Sequence, residues 1–379
     1  MKIAIDASPL AINRFSGLAK VIHNLIINFP FVENDELILY INYFRPLKHK
    51  LDISYPDVGT YFLRLPRRSI EWWWKNNWPT LDYFLNDIEI FHSLHIQVPP
   101  RKKIRTILTV HDCRRLAFPE LYKRKEIEIY KQQMRLSLNR VDFVVAVSEF
   151  TKSEVLKYFA FDQERIKVIP NGFAQISQDK RIEYENIKCL VSNMEIPKPY
   201  FLYIGSLEPR KNLRRLIQAL ALCRQETIDF PNLVIAGIHP QQWLKSREAD
   251  IAKNLDVTNN IYLSGIVKEK ILKALIKNAV ALCYPSLYEG FGFPPLEAMS
   301  LGIPVLAGEV SAIPETVGQA ACLIDPTNVE DIAQGLQNIV FDNNYREFLI
   351  KLGYAQVNKF SWHRTAKDYL DLYKKVISL

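Results

Sequence analysis

Short apolar runs rich in β-branched residues alternate with longer segments of helical periodicity along almost the whole chain. Nothing else in the sequence constrains the fold as strongly. Continuous apolar strands separated by helices fit parallel sheets that are covered on both faces. One series of candidate strands comprises Lys2–Ala7, Glu36–Ile41, Thr60–Leu65, Ile88–His92, Arg105–Thr109, Asp142–Val147 and Ile166–Ile169. A second comprises Tyr200–Ile204, Asn232–Ala236, Ile261–Leu263, Val280–Tyr284, Pro304–Ala307 and Ala320–Ile324, with helical patterns at Asn212–Arg224, Lys268–Asn278 and Val329–Ile339. The period lapses once, over Gln175–Pro199, where polar residues dominate. The lapse divides the 379 residues into two α/β domains, 1–180 and 196–360, each read as a doubly wound Rossmann-like parallel sheet. In such sheets ligands sit beyond the carboxyl ends of the strands, so chemistry is expected just after each strand.

Composition narrows the function classes. No apolar run approaches the roughly 18 residues of a membrane span. The opening Met1-Lys2-Ile3-Ala4-Ile5-Asp6 meets charge too early for a signal peptide and reads as a strand. Cys113, Cys189, Cys223, Cys283 and Cys322 are scattered, odd in number and without a C-x-x-C, which points to small buried hydrophobes in a reducing, cytoplasmic compartment. Charge is uneven: residues 1–180 carry 27 Lys and Arg against 20 Asp and Glu, a net of +7, whereas the remainder carries 22 against 21. Such an excess suits an anionic partner, although the densest cluster, Arg101-Lys102-Lys103-Ile104-Arg105, has the plainer reading of a solvated face.

Four segments carry candidate chemistry. After the strand Val280–Tyr284, a loop with Glu289, Gly290 and Gly292 leads into a helix opened by Pro294-Pro295 and bearing Glu297. Glycines allow close backbone approach, and a helix N-terminus favours a phosphate or diphosphate. Taken singly, Glu289 is a solvated loop residue and Glu297 complements its helix dipole. In Gly205-Ser206-Leu207-Glu208-Pro209-Arg210-Lys211-Asn212, two cations at the start of a helix oppose its dipole and are explained by a multiply charged anion. His111 follows a strand end, where a structural and a functional histidine weigh equally. Gly17 lies in a turn entering a helix after the first strand. No G-x-x-x-x-G-K-[ST] or G-x-G-x-x-G occurs, which argues against a P-loop NTPase and a nicotinamide dehydrogenase. No D-x-D or metal-ligand spacing occurs, so neither metal nor cofactor is expected.

Together these segments resemble the retaining enzymes of glycosyltransferase family 4. Glu289-Gly-Phe-Gly-Phe-Pro-Pro-Leu-Glu297 is similar to that family's E-x7-E motif. Asp6-Ala7-Ser8-Pro9-Leu10, Val110-His111-Asp112, Val147-Ser148-Glu149, Ile169-Pro170-Asn171-Gly172, Glu208-Pro209-Arg210-Lys211-Asn212 and Gly302-Ile303-Pro304 match in order. The opening loop departs from the family's T-G-I-G-R, with Ala19 and Lys20 in place of its second glycine and arginine. The resemblance implies a GT-B fold: two such domains facing across a cleft, with a terminal helix (361–379) crossing back to the N-terminal domain. It implies that residues 1–180 bind the acceptor and 196–360 the nucleotide-sugar donor. Arg210 and Lys211 would then meet the donor diphosphate, Glu297 the ribose, Glu289 the donor sugar, and Gly292 and Phe293 the sugar and diphosphate. His111 would lie beside the transferred sugar, Gly17 near the phosphates, and the base against loops at Gly237 and Val267.

The resemblance further implies hexosyl transfer with retention, without metal, in cell-surface polysaccharide synthesis. Family frequency favours UDP-hexose such as UDP-glucose over GDP-mannose, with a glycan or lipid-linked acceptor and no nucleic acid. Glu71-Trp72-Trp73-Trp74-Lys75-Asn76-Asn77-Trp78 holds four of the six tryptophans. It fits either a membrane interface, hence peripheral binding to an anionic inner leaflet, or a core helix with Trp74 and Trp78 on one face. Two rivals remain: a nucleotide-sugar epimerase of the same fold, and a non-catalytic nucleotide-sugar-binding protein.

Overall fold

The computed structural model describes residues 1–12, 16–30, 35–44, 58–174 and 196–379. The lapse at Gln175–Pro199 therefore lies mostly outside the described residues, as do Cys189 and the turn residues ahead of Ser16. The chain divides into two compact units, Met1–Ala174 with Phe360–Leu379, and Gln175–Lys359.

In the first unit, seven strands form a wholly parallel sheet in the order β3-β2-β1-β4-β5-β6-β7. They are β1 Lys2–Asp6, β2 Glu36–Asn42, β3 Val58–Leu63, β4 Ile90–Ser93, β5 Arg105–Val110, β6 Phe143–Ala146 and β7 Ile166–Val168. Side chains alternate between faces, so Ile3 and Ile5 of β1 join one apolar cluster and Ala4 joins another on the opposite face. The second unit repeats the plan with six parallel strands, β10-β9-β8-β11-β12-β13. These are β8 Tyr200–Ile204, β9 Asn232–Ala236, β10 Ile261–Gly265, β11 Ala281–Tyr284, β12 Val305–Gly308 and β13 Cys322–Ile324. In each sheet the strand order reverses beside the first strand, between β1 and β4 and between β8 and β11. Each such switch point opens a crevice at the carboxyl ends. All thirteen apolar runs are strands, displaced by at most a few residues at their ends.

The last helix, Trp362–Ile377, packs on the first sheet, with Tyr369, Leu370, Tyr373 and Val376 in the cluster of Ile3 and Ile5. A buried polar chain fixes it there: His92 Nδ1 lies 2.6 Å from the Tyr373 hydroxyl, His92 Nε2 lies 2.7 Å from Thr109 Oγ1, and that oxygen lies 3.0 Å from the Tyr369 hydroxyl. Burial, with the neighbouring His111, depresses the His92 pKa to about 3, so the ring is neutral. Gly172 is required where this helix begins, because a Cβ there would stand 2.4 Å from the backbone of Trp362.

The tryptophan cluster divides. The helix Arg67–Lys75 ends before Trp78, so the expected shared face of Trp74 and Trp78 does not form. Trp74 packs on the core, whereas Trp72 and Trp78 are 63% and 61% exposed. The densest basic stretch is largely structural: Arg101 and Arg105 pair with Asp142 at 2.9 and 3.1 Å, and the Lys102 and Lys103 amides donate to Asp82. Cys113, Cys223, Cys283 and Cys322 are buried thiols outside any disulfide.

Candidate functional site

Around the switch point of the second sheet, the segment after β8 and the loop after β11 are stitched together by backbone. The Leu287 amide donates to the Arg210 carbonyl at 2.7 Å. Asn212 adopts φ +58° and its Nδ2 donates to the carbonyls of Pro285 and Pro326 at 3.0 and 2.6 Å. This left-handed residue corrects one sequence expectation. Arg210 and Lys211 do not begin the helix; they occupy a single tight turn, Pro209–Lys211, and the helix Leu213–Glu226 starts only beyond Asn212. Asparagine tolerates that backbone region and has two amide protons for the stitching.

The turn aims both cations at Glu289. Lys211 Nζ lies 2.6 Å from Glu289 Oε1 and Arg210 Nη1 lies 3.1 Å from Oε2, while Arg210 Nε donates to Glu208 at 2.8 Å. The three central side chains are only 8 to 14% exposed. Burial works to raise the Glu289 pKa, but Lys211 and Arg210 outweigh it and hold the carboxyl below its ordinary range. Burial likewise pulls the Lys211 pKa down, with Arg210 adding to the effect and Glu289 opposing it. Lys211 Nζ also lies 3.2 Å from the Tyr284 hydroxyl. The Glu289 backbone is fixed as well: its amide donates to Ser311 Oγ at 3.0 Å and its carbonyl accepts from Ala312 at 3.2 Å.

Two further expectations change here. Glu289 is an enclosed ionic partner, not a solvated loop residue. Nor do the two cations wait on an external anion alone: Glu208 and Glu289 already oppose them, and a ligand phosphate must compete with Glu289. Glu208, Asn212, Tyr284 and Ser311 carry no assignable role in the sequence alone, and only Asn212, a turn-former directly after two cations, gives a signal there.

The remaining residues of this unit lie along the same edge. Gly292, at φ +139°, precedes the helix Phe293–Ser300, whose first turn has no side-chain cap; Glu297 is half-buried in that helix. Gly237, at φ +103°, packs so closely that a Cβ would stand 2.8 Å from the Gly205 carbonyl oxygen, and its amide donates to Gly265 at 2.9 Å. Val267 follows β10 and is half-buried. Arg210, Lys211, Gly237, Val267, Glu289, Gly292, Phe293 and Glu297 thus all follow strand ends of one sheet.

His111 and Gly17 belong to the other unit. Gly17 is exposed at the start of the helix Gly17–Ile27, where Ser16 Oγ accepts the Ala19 amide at 3.2 Å. His111 lies just past β5. Burial lowers its pKa, against Asp112 and a hydrogen bond from the ring to the Leu94 carbonyl, and its Nε2 is buried without a partner. With Nδ1–H turned to Leu94, Nε2 presents a lone pair. Among the described residues no group of three or more His, Cys, Asp or Glu has metal-holding geometry.

Comparison with known proteins agrees with this arrangement. The family model for Glycosyltransferase Family 4 matches residues 17–174, and that for Glycosyl transferases group 1 matches 191–356. The chain is 31% identical over 317 residues to O-antigen chain mannosyltransferase B of Escherichia coli, covering 84% of this chain and 80% of that protein. It is 27% identical to the serotype-specific mannosyltransferase WbdA of Escherichia coli over 69% of this chain, which spans only 32% of that longer relative. The sucrose-phosphate synthase of Thermosynechococcus elongatus has the same fold, with a TM-score of 0.74 at 19% identity over 100% of this chain and 99% of that one. These two-sheet neighbours have the GT-B fold.

Proposed function

Because the chain belongs to glycosyltransferase family 4, we propose that it is a retaining mannosyltransferase that moves mannose from a nucleoside-diphosphate donor to a glycan or lipid-linked sugar during cell-surface polysaccharide synthesis. The observation that carries the reading is the buried cluster in which Arg210 and Lys211 share Glu289. Among the donors weighed, the names of the relatives support GDP-mannose over UDP-glucose.

Cleavage of the anomeric C–O bond places negative charge on the departing diphosphate. Arg210, Lys211 and the open amides at Gly292 and Phe293 would stabilise that charge more in the transition state than in the bound donor. As the diphosphate takes the cations, the Glu289 carboxylate is released to accept sugar hydroxyls, and Glu297 takes the ribose. In the other unit, the lone pair on His111 Nε2 is of the kind that accepts from a sugar hydroxyl. The departing phosphate oxygen takes the proton of the attacking acceptor hydroxyl, so retention needs no covalent enzyme intermediate.

Peripheral binding to an anionic membrane belongs to the same proposal. Exposed Trp72, Trp78 and Tyr83 lie close in sequence to exposed Arg68 and Lys75, and Lys102 and Lys103 adjoin them through their amide hydrogen bonds to Asp82. No helix among the described residues is long and apolar enough to cross a membrane. Retention on anionic liposomes at low salt supports this part, and free passage removes it.

The donor is tested by thermal shift with UDP, GDP, ADP and NAD, with and without EDTA, followed by transfer from GDP-mannose or UDP-glucose to octyl α-D-mannopyranoside. Stabilisation by GDP that survives EDTA, with mannosyl transfer, is the expected result. Stabilisation by NAD alone, or only with added metal, contradicts the reading.

A further inference from the structure

The donor chemistry leaves one buried polar group at the second switch point without a task. Tyr284 closes β11 and is only 3% exposed. The strand that it ends is otherwise apolar, with Ala281, Leu282 and Cys283 buried beside it. A phenylalanine would fill the same space and bring no oxygen to satisfy, since a buried hydroxyl is costly unless it is hydrogen-bonded. This hydroxyl is bonded to both members of the central ion pair. Its oxygen lies 3.2 Å from Lys211 Nζ, and its O–H donates to the Glu289 carboxylate.

Of the three groups, the tyrosine is the one anchored in the sheet. β11 lies between β8 and β12, and Tyr284 is in register with Ala307 of β12. Lys211 belongs to the turn Pro209–Lys211, and Glu289 to the loop after β11. The lysine also has a flexible four-carbon stem, whose ordering costs rotamer entropy.

The two cations differ in what holds them besides Glu289. Arg210 Nε donates to Glu208 at 2.8 Å and its Nη1 to the Tyr288 carbonyl at 3.3 Å, so two fixed partners remain if the carboxylate moves. Lys211 Nζ has three protons. Glu289 Oε1 takes one at 2.6 Å, and among the described residues the sole other hydrogen-bond partner of Nζ is Tyr284. One proton is therefore left for a ligand, and a single neutral oxygen secures the ammonium once Glu289 gives way.

We propose that Tyr284 is the positioning residue for Lys211: its hydroxyl oxygen holds Nζ in place while a phosphate takes over from Glu289. The oxygen carries no charge and does not compete for the anion, so its bond to Nζ persists through the exchange. The ammonium is then aimed before the phosphate arrives, which is the condition for strong electrostatic stabilisation. The inference rests on the transferase reading in one respect, that the anion is the diphosphate of a nucleotide.

The test is a double-mutant cycle on nucleotide affinity. Wild type, Tyr284→Phe, Lys211→Ala and the double variant are titrated calorimetrically with GDP and with UDP in EDTA. Tyr284→Phe keeps the ring and loses the oxygen, so GDP affinity falls about fivefold, the scale of one lost hydrogen bond. In the Lys211→Ala background the same change costs less than about twofold, because the group it acts through is gone. A tyrosine that merely fills the core would give equal losses in both backgrounds. Equal losses, or unaltered GDP affinity in Tyr284→Phe, overturn the proposal. Protein that binds UDP and not GDP refutes the GDP-mannose reading, and the same cycle read with UDP still decides the role of Tyr284. Protein that binds neither nucleotide overturns both.

Discussion

The two sheets share one topology and end in opposite chemistry. The carboxyl edge of the first presents imidazoles, one held by a buried carboxylate and one by a backbone carbonyl. That of the second presents two cations clasping a carboxylate in a turn locked by Asn212. The strand order is 3-2-1-4 beside both crevices, so the difference arises wholly in the residues that follow each strand. A common scaffold places side chains at a crevice, and the local residues decide whether that crevice suits hydroxyls or phosphates.

The largest test of this contrast concerns the cations. Lys211→Ala leaves Glu289 enclosed with one partner fewer and removes charge opposite the departing diphosphate. Steady-state transfer should fall at least about 100-fold in kcat/KM. A loss below tenfold would place the phosphate somewhere else. Glu289→Gln sharpens the same point in a different way. If Glu289 competes with the diphosphate for Arg210 and Lys211, the variant binds free GDP several-fold more tightly while turnover falls about 100-fold. Parallel loss of both would make Glu289 a simple scaffold for the cations.

Acid separates the units next. The folded His92 pKa of about 3 lies below its ordinary 6.5, so its contribution is complete above pH 6.5 and is lost as pH falls toward 3. The slope is about 1.4 kcal/mol per pH unit. The depressed carboxyl of Glu289 contributes above the ordinary carboxylate range and is lost only as pH falls through it. Denaturant unfolding between pH 7 and pH 4 should therefore weaken the first unit first, and His92→Gln should flatten that slope. Coincident acid loss in both units, insensitive to His92, would contradict the assignment. The smallest expected effect is at Asn212: Asn212→Gly keeps the left-handed backbone but forfeits two buried hydrogen bonds, at about 1–3 kcal/mol in a chemical denaturation curve of the second unit.

Much of this was legible in the sequence. Burial on both faces leaves a local record, so each strand could be read as an unbroken apolar run, and a run such as Tyr200–Ile204 coincides with its strand end to end. Glu289, Arg210 and Lys211 were legible as motif residues, because a helix entered through glycines or prolines advertises an anion site. Their mutual pairing was not, since 78 residues separate Lys211 from Glu289 and only the adjacency of β8 and β11 joins them. The Asp6–His95 pair stayed hidden for the same reason: β1 and β4 meet across the switch point, and although Asp6 opens a matched segment, His95 lies in none. The tryptophan cluster misled because its helix ends at Lys75, where Asn77 turns left-handed at φ +56° just ahead of Pro79, a local stop that the spacing of tryptophans does not record.

The measurement that reaches the central claim most directly is calorimetric titration of GDP into wild-type protein and Lys211→Ala in EDTA, with octyl α-D-mannopyranoside binding measured on the same samples. The division of labour between the sheets predicts that Lys211→Ala loses GDP affinity by at least tenfold and binds the glycoside as wild type does. Unchanged GDP affinity, or equal loss of both ligands, would contradict it.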